Sequence, residues 1–368
     1  MYPFTPGSYA PRNGWYVAAF VKEIGEALLS RWILNQPVVL YRKADGTAVA
    51  VEGRCPHRHY PLGESKRVGD AIQCGYHGIT FDWQGKCTFI PSQPSIPGVY
   101  SIRTYPLVER GLWAWIWTGD ADKCDEALIP TLDEIGYTVP GLIPAAFYTM
   151  QVKGRYQLLN DNLLDLSHLG YLHASSIGTP DDAATPEVRD LSERRLSSRR
   201  YMHDTPMPPI HEAATGYRGP VDRISGMDFF FPGFHAGIGE TRLPRDHAEA
   251  GTVLRTSRVW HAVTPATKTS CTYFFAMSGE SQDALDHAKI SLEPVLAEDR
   301  FATEEIEKII TTLDEVPPEL MLKSDTTAVQ GRRILQAMMD REKAEASAAG
   351  ERADAAVASK RSKTDEPV

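Results

Sequence analysis

The sequence predicts an α+β protein with an all-β N-terminal domain and a C-terminal domain that mixes strands with helices. Three observations predict it. Residues 1–120 carry short apolar runs broken by turn dipeptides, with no helical period. Residues 156–173 set Leu158, Leu159, Leu163, Leu166 and Leu169 at helix-like spacing. Strand-like runs return over 226–280, and two helical stretches follow, roughly 282–313 and 325–345, separated by Pro317-Pro318.

In the first domain, Gln36–Arg42, the dipeptide Asp45-Gly46 and Thr47–Glu52 read as strand, tight turn and strand. Ile79–Lys86 repeats the hairpin pattern around Gly85. Leu112–Thr118 is a further strand ending at Gly119-Asp120, and Trp113, Trp115 and Trp117 alternate onto one face, expected to be the core of a small barrel. Residues 121–144 are turn-rich and form the junction to a second domain at 145–345. There Met227–Phe231, Thr252–His261 and Thr269–Ala276 read as strands. Residues 178–225, polar and rich in Pro, Arg and Asp, are expected to be long surface excursions. The tail, 346–368, is expected to be disordered.

A chain of 368 residues has room for two domains and a substantial core. Its 42% hydrophobic and 24% charged content is ordinary for a globular protein. A net charge of −9 argues against a general nucleic-acid binder. No apolar run approaches the roughly 18–20 residues of a membrane span. The start, Met1-Tyr2-Pro3-Phe4, lacks the basic and apolar regions of a signal peptide, and five cysteines do not suggest a disulfide framework. The expectation is a cytoplasmic protein with neither membrane nor nucleic acid as partner.

The chemistry lies in two Cys-His pairs, Cys55-Pro56-His57 and Cys74-Gly75-Tyr76-His77. Two thiolates and two imidazoles on tight loops can hold a metal centre. A structural zinc site usually joins Cys-x2–4-Cys to a separate His pair, whereas each loop here is mixed. The order favours a Rieske [2Fe–2S] cluster, with two cysteines on one iron and two histidines on the other. Gly75 and Gly78 let the backbone turn closely, and Pro56 stiffens the first loop. Cys87, Cys124 and Cys271 remain as reduced thiols.

A second pattern is Asp165-x-x-His168-x4-His173. Two imidazoles with open positions begin a two-His-one-carboxylate site for Fe(II). On a helix Asp165 and His168 share a side, and His173 converges with His168 only if the helix ends or distorts, for which Gly170 offers a place. An upstream cluster strengthens the ligand reading, because an electron donor needs an acceptor. The best candidate for a third ligand is Asp299; Glu293 and Glu304 are alternatives, and Glu298 would point about 100° away on a helix. Spacing alone leaves the choice open.

Cys55-Pro-His57-Arg58, Cys74-Gly-Tyr-His77-Gly78 and Asn162-x-x-Asp165-x-x-His168-x4-His173 together resemble the oxygenase component of Rieske non-haem iron aromatic oxygenases. The resemblance runs from about Trp15 to Arg341 and is strongest to the vanillate O-demethylase and dicamba monooxygenase branch. Ile79 stands where the family often has Trp, and Tyr60 and Pro61 where small or charged residues are common. The resemblance implies a Rieske domain followed by a helix-grip-like domain with an antiparallel sheet, assembled as a homotrimer. It favours Asp299 as the carboxylate ligand. It makes Asn162 and Asp165 catalytic, with Asp165 bridging a cluster histidine of one subunit and an iron histidine of the next.

It further implies O2 as co-substrate and a separate reductase or ferredoxin as electron donor. No Gly-x-Gly-x-x-Gly site is present, so NAD(P)H would act only through that partner. The expected reaction is monooxygenation of an aromatic substrate, by preference O-demethylation of a methoxylated aromatic acid through a hemiacetal that loses formaldehyde. Hydroxylation of a ring or alkyl substituent is the alternative. An electron carrier without oxygenase activity is the reading from another class, but a carrier needs only about 100 residues. Pocket candidates are His261, Trp260, Phe231 and Phe275, with Phe229 and Phe234 beside them. Arg218, Arg223 and Arg242 are possible ionic anchors, each expected at the surface.

Overall fold

The computed structural model describes residues 9–364, with side chains to Ala348. Three small antiparallel sheets form the N-terminal part. One joins Trp15–Phe20, Trp113–Trp117 and Leu107–Arg110. A second runs Leu29–Ile33, Gln36–Arg42, Ala48–Glu52, Thr104–Tyr105, and a third Lys66–Val68, Ala71–Gln73, Thr80–Phe81, Cys87–Phe89. The expected hairpins form, and Gly46 and Gly85 take the positive φ that their turns require.

The C-terminal part is one seven-stranded antiparallel sheet. Its spatial order is Ile143–Val152, Ser270–Gly279, Val253–Thr267, Phe234–Arg242, Val221–Phe230, Arg195–Thr205, Val188–Leu191. The chain leaves one edge at Val152, passes through the helix Tyr156–Leu164, re-enters at the far edge, and meanders back. The connection holding Asp165, His168 and His173 therefore crosses the sheet. The long helix Gln282–Thr312 packs on Tyr156–Leu164 and on the strands Ile143–Val152 and Ser270–Gly279, which returns Asp299 to that connection.

Several expectations differ from the structure. Residues 178–225 contain the sheet strand Arg195–Thr205 and the start of Val221–Phe230 rather than surface loops alone. Their buried positions include Ser198, Arg200 and Arg223, so the strands carry no apolar alternation to read. The strand Phe234–Arg242 was equally unannounced, because Gly237 and Gly239 dilute its pattern. The helix at 156–173 breaks at Asp165 (φ −103°, ψ 90°), not at Gly170. A 3-10 turn, Leu166–His168, and a short helix, Leu169–Leu172, follow. Gly170 serves close packing instead: a Cβ there would lie 2.5 Å from the Thr179 carbonyl oxygen. The helix from Thr326 continues to Thr364, past the start of the expected disordered tail at Ala346. That stretch is rich in Ala, Glu, Lys and Arg, strong helix formers. Residues 365–368 lie outside the described residues.

Trp113, Trp115 and Trp117 do share a face, but it is not the interior of a small barrel. They pack with Phe234, Trp260 and Phe274 of the large sheet, and the Trp113 ring lies 5.1 Å from Phe234 and 5.6 Å from Trp260. This aromatic cluster joins the two parts of the chain. Ala114 and Ile116 point the other way into a second core with Leu40, Tyr16 and Val263.

Candidate functional site

The two Cys-His loops have the same backbone. Cys55 N–H donates to Tyr60 O (2.9 Å) and His59 N–H to Cys55 O (2.9 Å). Cys74 N–H donates to Ile79 O (2.8 Å) and Gly78 N–H to Cys74 O (3.0 Å). The fifth residue of each loop is left-handed: His59 at φ +59° and Gly78 at φ +71°. A non-glycine residue there costs about 1–2 kcal/mol, and His59 is held by Arg54, whose guanidinium lies 3.1 Å from its Nδ1. The loops meet so that both cysteines are buried and both ligand-candidate histidines are exposed. The rings of His57 and His77 are 4.6 Å apart. Burial pushes the Cys55 thiol up to about 11, with Cys74 beside it. A thiol in that state becomes a thiolate when a cation displaces its proton.

Tyr60 fits into the second loop, because a Cβ on Gly75 would lie 3.1 Å from its hydroxyl. Ile79 is buried in the core under the loops with Val39, Tyr41, Leu62 and Phe81. Both departures from the resembled pattern are thus accounted for by packing. All five cysteines are free; Cys87 and Cys271 are buried and Cys124 is half-buried.

Across the sheet, His168, His173 and Asp299 converge, with candidate ligand atoms all within 4.8 Å of one another. Asp299 Oδ1 lies 3.0 Å from His173 Nε2 and 3.6 Å from His168 Nε2. Ligands about 2.1 Å from one ion and at right angles are about 3 Å apart, so the set has the proportions of a facial triad. Glu293 and Glu304 are not in the cluster. The break at Asp165 produces the convergence: its carboxylate accepts from Ser167 N–H (3.0 Å) and starts the 3-10 turn that swings His168 toward His173.

Two neighbours refine the triad. Asn162 Nδ2 donates to Asp299 Oδ1 (3.0 Å). Glu298 Oε2 lies 2.6 Å from His173 Nδ1, so the acid that helix geometry turns away from the Asp299 position reaches the far side of the histidine ring. Sequence reasoning treated Glu298 only as a rival for Asp299; the adjacent acid pair was the available signal. Asp165 meets His168 Nδ1 through its main-chain carbonyl, not its carboxylate. Apart from Ser167, the carboxylate has no hydrogen-bond partner among the described residues.

The triad opens onto a cavity of about 820 Å³, within the range of small-molecule sites. His261 and Phe275 line it. Burial holds His261 down at about 4, so the ring is neutral, and its Nδ1 is 2.5 Å from Tyr273 Oη. Trp260 and Phe231 do not line the cavity. Trp260 is next to His261 on one strand and so faces the opposite side, where its Nε1–H donates to Ile135 O (2.8 Å). Phe231 packs on Phe229 at the end of its strand. Phe229 and Phe234 are plain core. Arg242 pairs with Glu240, and Arg218 is exposed. Arg223 is buried and lines the cavity, with its charge committed to Asp182 (3.2 Å). Arg255, His211 and Tyr273 had no sequence signal: each stands in a segment whose neighbours are as polar or as apolar as an ordinary strand or loop.

Comparisons with known proteins agree with this layout. Residues 14–106 match the family described as Rieske [2Fe-2S] domain, and residues 152–341 the family described as Vanillate O-demethylase oxygenase C-terminal domain. The chain is 34% identical to the iron-sulfur subunit of the toluene-4-sulfonate monooxygenase system of Comamonas testosteroni, over 90% of this chain and 97% of that one. It is 31% identical to the oxygenase subunit of a Pseudomonas sp. vanillate O-demethylase, covering 92% and 98% of the two chains. A crystal structure of dicamba monooxygenase bound to 3,6-dichlorosalicylic acid superposes with a TM-score of 0.80 at 29% identity, over 91% of this chain and 98% of that one.

Proposed function

Because this chain belongs to the Rieske oxygenases with a vanillate O-demethylase-type C-terminal domain, we propose that it removes the methyl group of a methoxylated aromatic acid. It is the oxygenase component of a multicomponent system, with a Rieske [2Fe–2S] cluster and a mononuclear iron. We assign Cys55, His57, Cys74 and His77 to the cluster and His168, His173 and Asp299 to the iron. The observation that carries the reading is the two-His-one-carboxylate set at the wall of a cavity large enough for an aromatic ring. Relatives that act, by their names, on vanillate and toluene-4-sulfonate support an aromatic anion as substrate.

With electrons from a reductase or ferredoxin, the bound iron supplies the activation of O2. Oxidation of the methoxy carbon uses one O2, two electrons and two protons. It gives a hemiacetal and water, and the hemiacetal then separates into a phenol and formaldehyde. The chain's own part is positional. Asn162 orients Asp299, and Glu298 orients His173. Neutral His261, held by Tyr273, presents its other ring nitrogen to a substrate oxygen. Asp165, with its carboxylate little engaged, would accept a hydrogen bond from His57 or His77 of a neighbouring subunit in a homotrimer. No helix among the described residues is long and apolar enough to cross a membrane, and five free thiols fit a reducing cytoplasm.

Purified protein given a compatible reductase and NADH is expected to couple O2 uptake to stoichiometric formaldehyde release with a methoxylated aromatic acid. A hydroxylated product without formaldehyde would instead select ring or alkyl hydroxylation. A milder test addresses His173. Glu298→Gln is expected to weaken iron retention about 10–100-fold against a chelator, with the cluster absorbance unchanged. Iron retention equal to that of the unaltered protein would remove Glu298 from this role.

A further inference from the structure

The cavity floor is formed by residues in register across the central strands. From the iron end outward, the rows are His261 and Phe275; then Met227, Gly237 and Val259; then Ser225, Gly239 and Ser257; then Arg223, Thr241 and Arg255. The last row is cationic. Arg223 is neutralised by Asp182, but Arg255 is not neutralised in this way. Its Nε is buried without a hydrogen-bond partner, and the acid acting on it, Glu280, is exposed and makes no ion pair with it among the described residues. Burial lowers the guanidinium from its ordinary range, and the charge of Glu280 only partly offsets it. His211 completes the end. Its Nδ1 is buried and unpartnered, and burial together with Arg255 and Arg223 keeps its ring neutral, at about 3.

A half-buried, unpaired guanidinium beside an unsatisfied imidazole is costly unless something meets it. We propose that Arg255 and His211 bind the carboxylate or sulfonate of the substrate, at the end of the cavity remote from the iron. This rests on the aromatic-acid reading above and specifies where the acid group sits. Arg255 lies six positions before His261 on one strand, about 20 Å between their Cα atoms at ~3.3 Å per residue, a span that the arginine side chain shortens from its end. A cavity of about 150 Å³ holds one benzene, and this one is about 820 Å³. Between the two ends the floor carries Gly237 and Gly239, with Met227, Val259, Ser225 and Ser257 beside them, and no charged side chain in those two rows. The fitting substrate is therefore longer than a single-ring acid, with its anionic group well separated from the carbon that is oxidised.

Binding to the oxidised holoenzyme tests this without turnover. The probes are 6-methoxy-2-naphthoate against its neutral amide, and 6-methoxynaphthalene-2-sulfonate against its sulfonamide. The acid that the unaltered protein prefers identifies the anion. Arg255→Ala is expected to weaken its binding about 10–100-fold, the value of a hydrogen-bonded charge, and to erase the preference over the neutral partner. Arg255→Lys keeps part of that preference, and retention of about three irons per chain, the mononuclear iron included, certifies both variants as folded. An unaltered protein that binds neither acid better than its neutral partner overturns the proposal, as does a preference that survives Arg255→Ala. Because formaldehyde release is measured separately, an acid held by Arg255 but not demethylated would refute the demethylase reading and leave the anion site standing.

Discussion

Asp299→Ala is expected to abolish oxygenation while leaving the Rieske cluster intact. One oxygen of Asp299 stands within 3.0 Å of both His173 Nε2 and Asn162 Nδ2, and 3.6 Å from His168 Nε2. Removing it leaves two imidazoles with no anionic ligand, and the neighbouring acid, Glu298, is occupied on the far nitrogen of His173. Iron content should fall from about three to about two per chain, since a Rieske cluster holds two. Turnover should fall at least a hundredfold. The cluster absorbance and its reduction by the partner should not change, because the loops fold on a separate core around Val39, Leu62 and Phe81. A variant that kept three irons and full turnover would remove Asp299 from the site. If unaltered protein held two irons and never consumed O2, the electron-carrier reading would replace the oxygenase.

The parts of this site that the sequence announces are those whose spacing is local. Each Cys-His loop closes within five residues, so four residues and two glycines suffice to recognise it. His168 and His173 lie on one short connection, yet the geometry that joins them comes from Asp165, whose side chain starts a new turn where leucine periodicity suggests unbroken helix. The bent helix thus hid in a regular pattern. Asp299 is distant in sequence, and choosing it over Glu293 and Glu304 requires knowing which side of a 31-residue helix faces the sheet. The strand at 195–205 and the start of the strand at 221–230 were illegible for a different reason. Residues 223–227 of the second strand line a polar-walled cavity, and the buried positions of the two strands include Ser198, Arg200 and Arg223. A binding site of this kind erases the alternation by which strands are recognised. Trp260 and His261 show the complementary error: adjacent aromatic residues in one strand read as one pocket, but the pleat sends one to the core and the other to the cavity.

Cys74→Ser is expected to produce the opposite deficit. Cys55 and Cys74 sit in an apolar core, and burial pushes Cys55 up to about 11, so its deprotonation depends on a bound cluster. A serine at 74 should cost the cluster absorbance and two of about three irons, keep the iron at His168, His173 and Asp299, and lower turnover at least a hundredfold. The two variants together then ask where electrons travel. If the cluster of each chain serves the iron of its neighbour in a ring, an equimolar mixed assembly of Asp299→Ala and Cys74→Ser chains places a good cluster before a good iron at about one interface in four. Activity near a quarter of the unaltered level is the expected result of co-expression. Transfer within one chain would leave the mixture as inactive as its components, because each chain lacks one of its two centres. The exposed faces of His57 and His77 and the little-engaged carboxylate of Asp165 favour the first outcome.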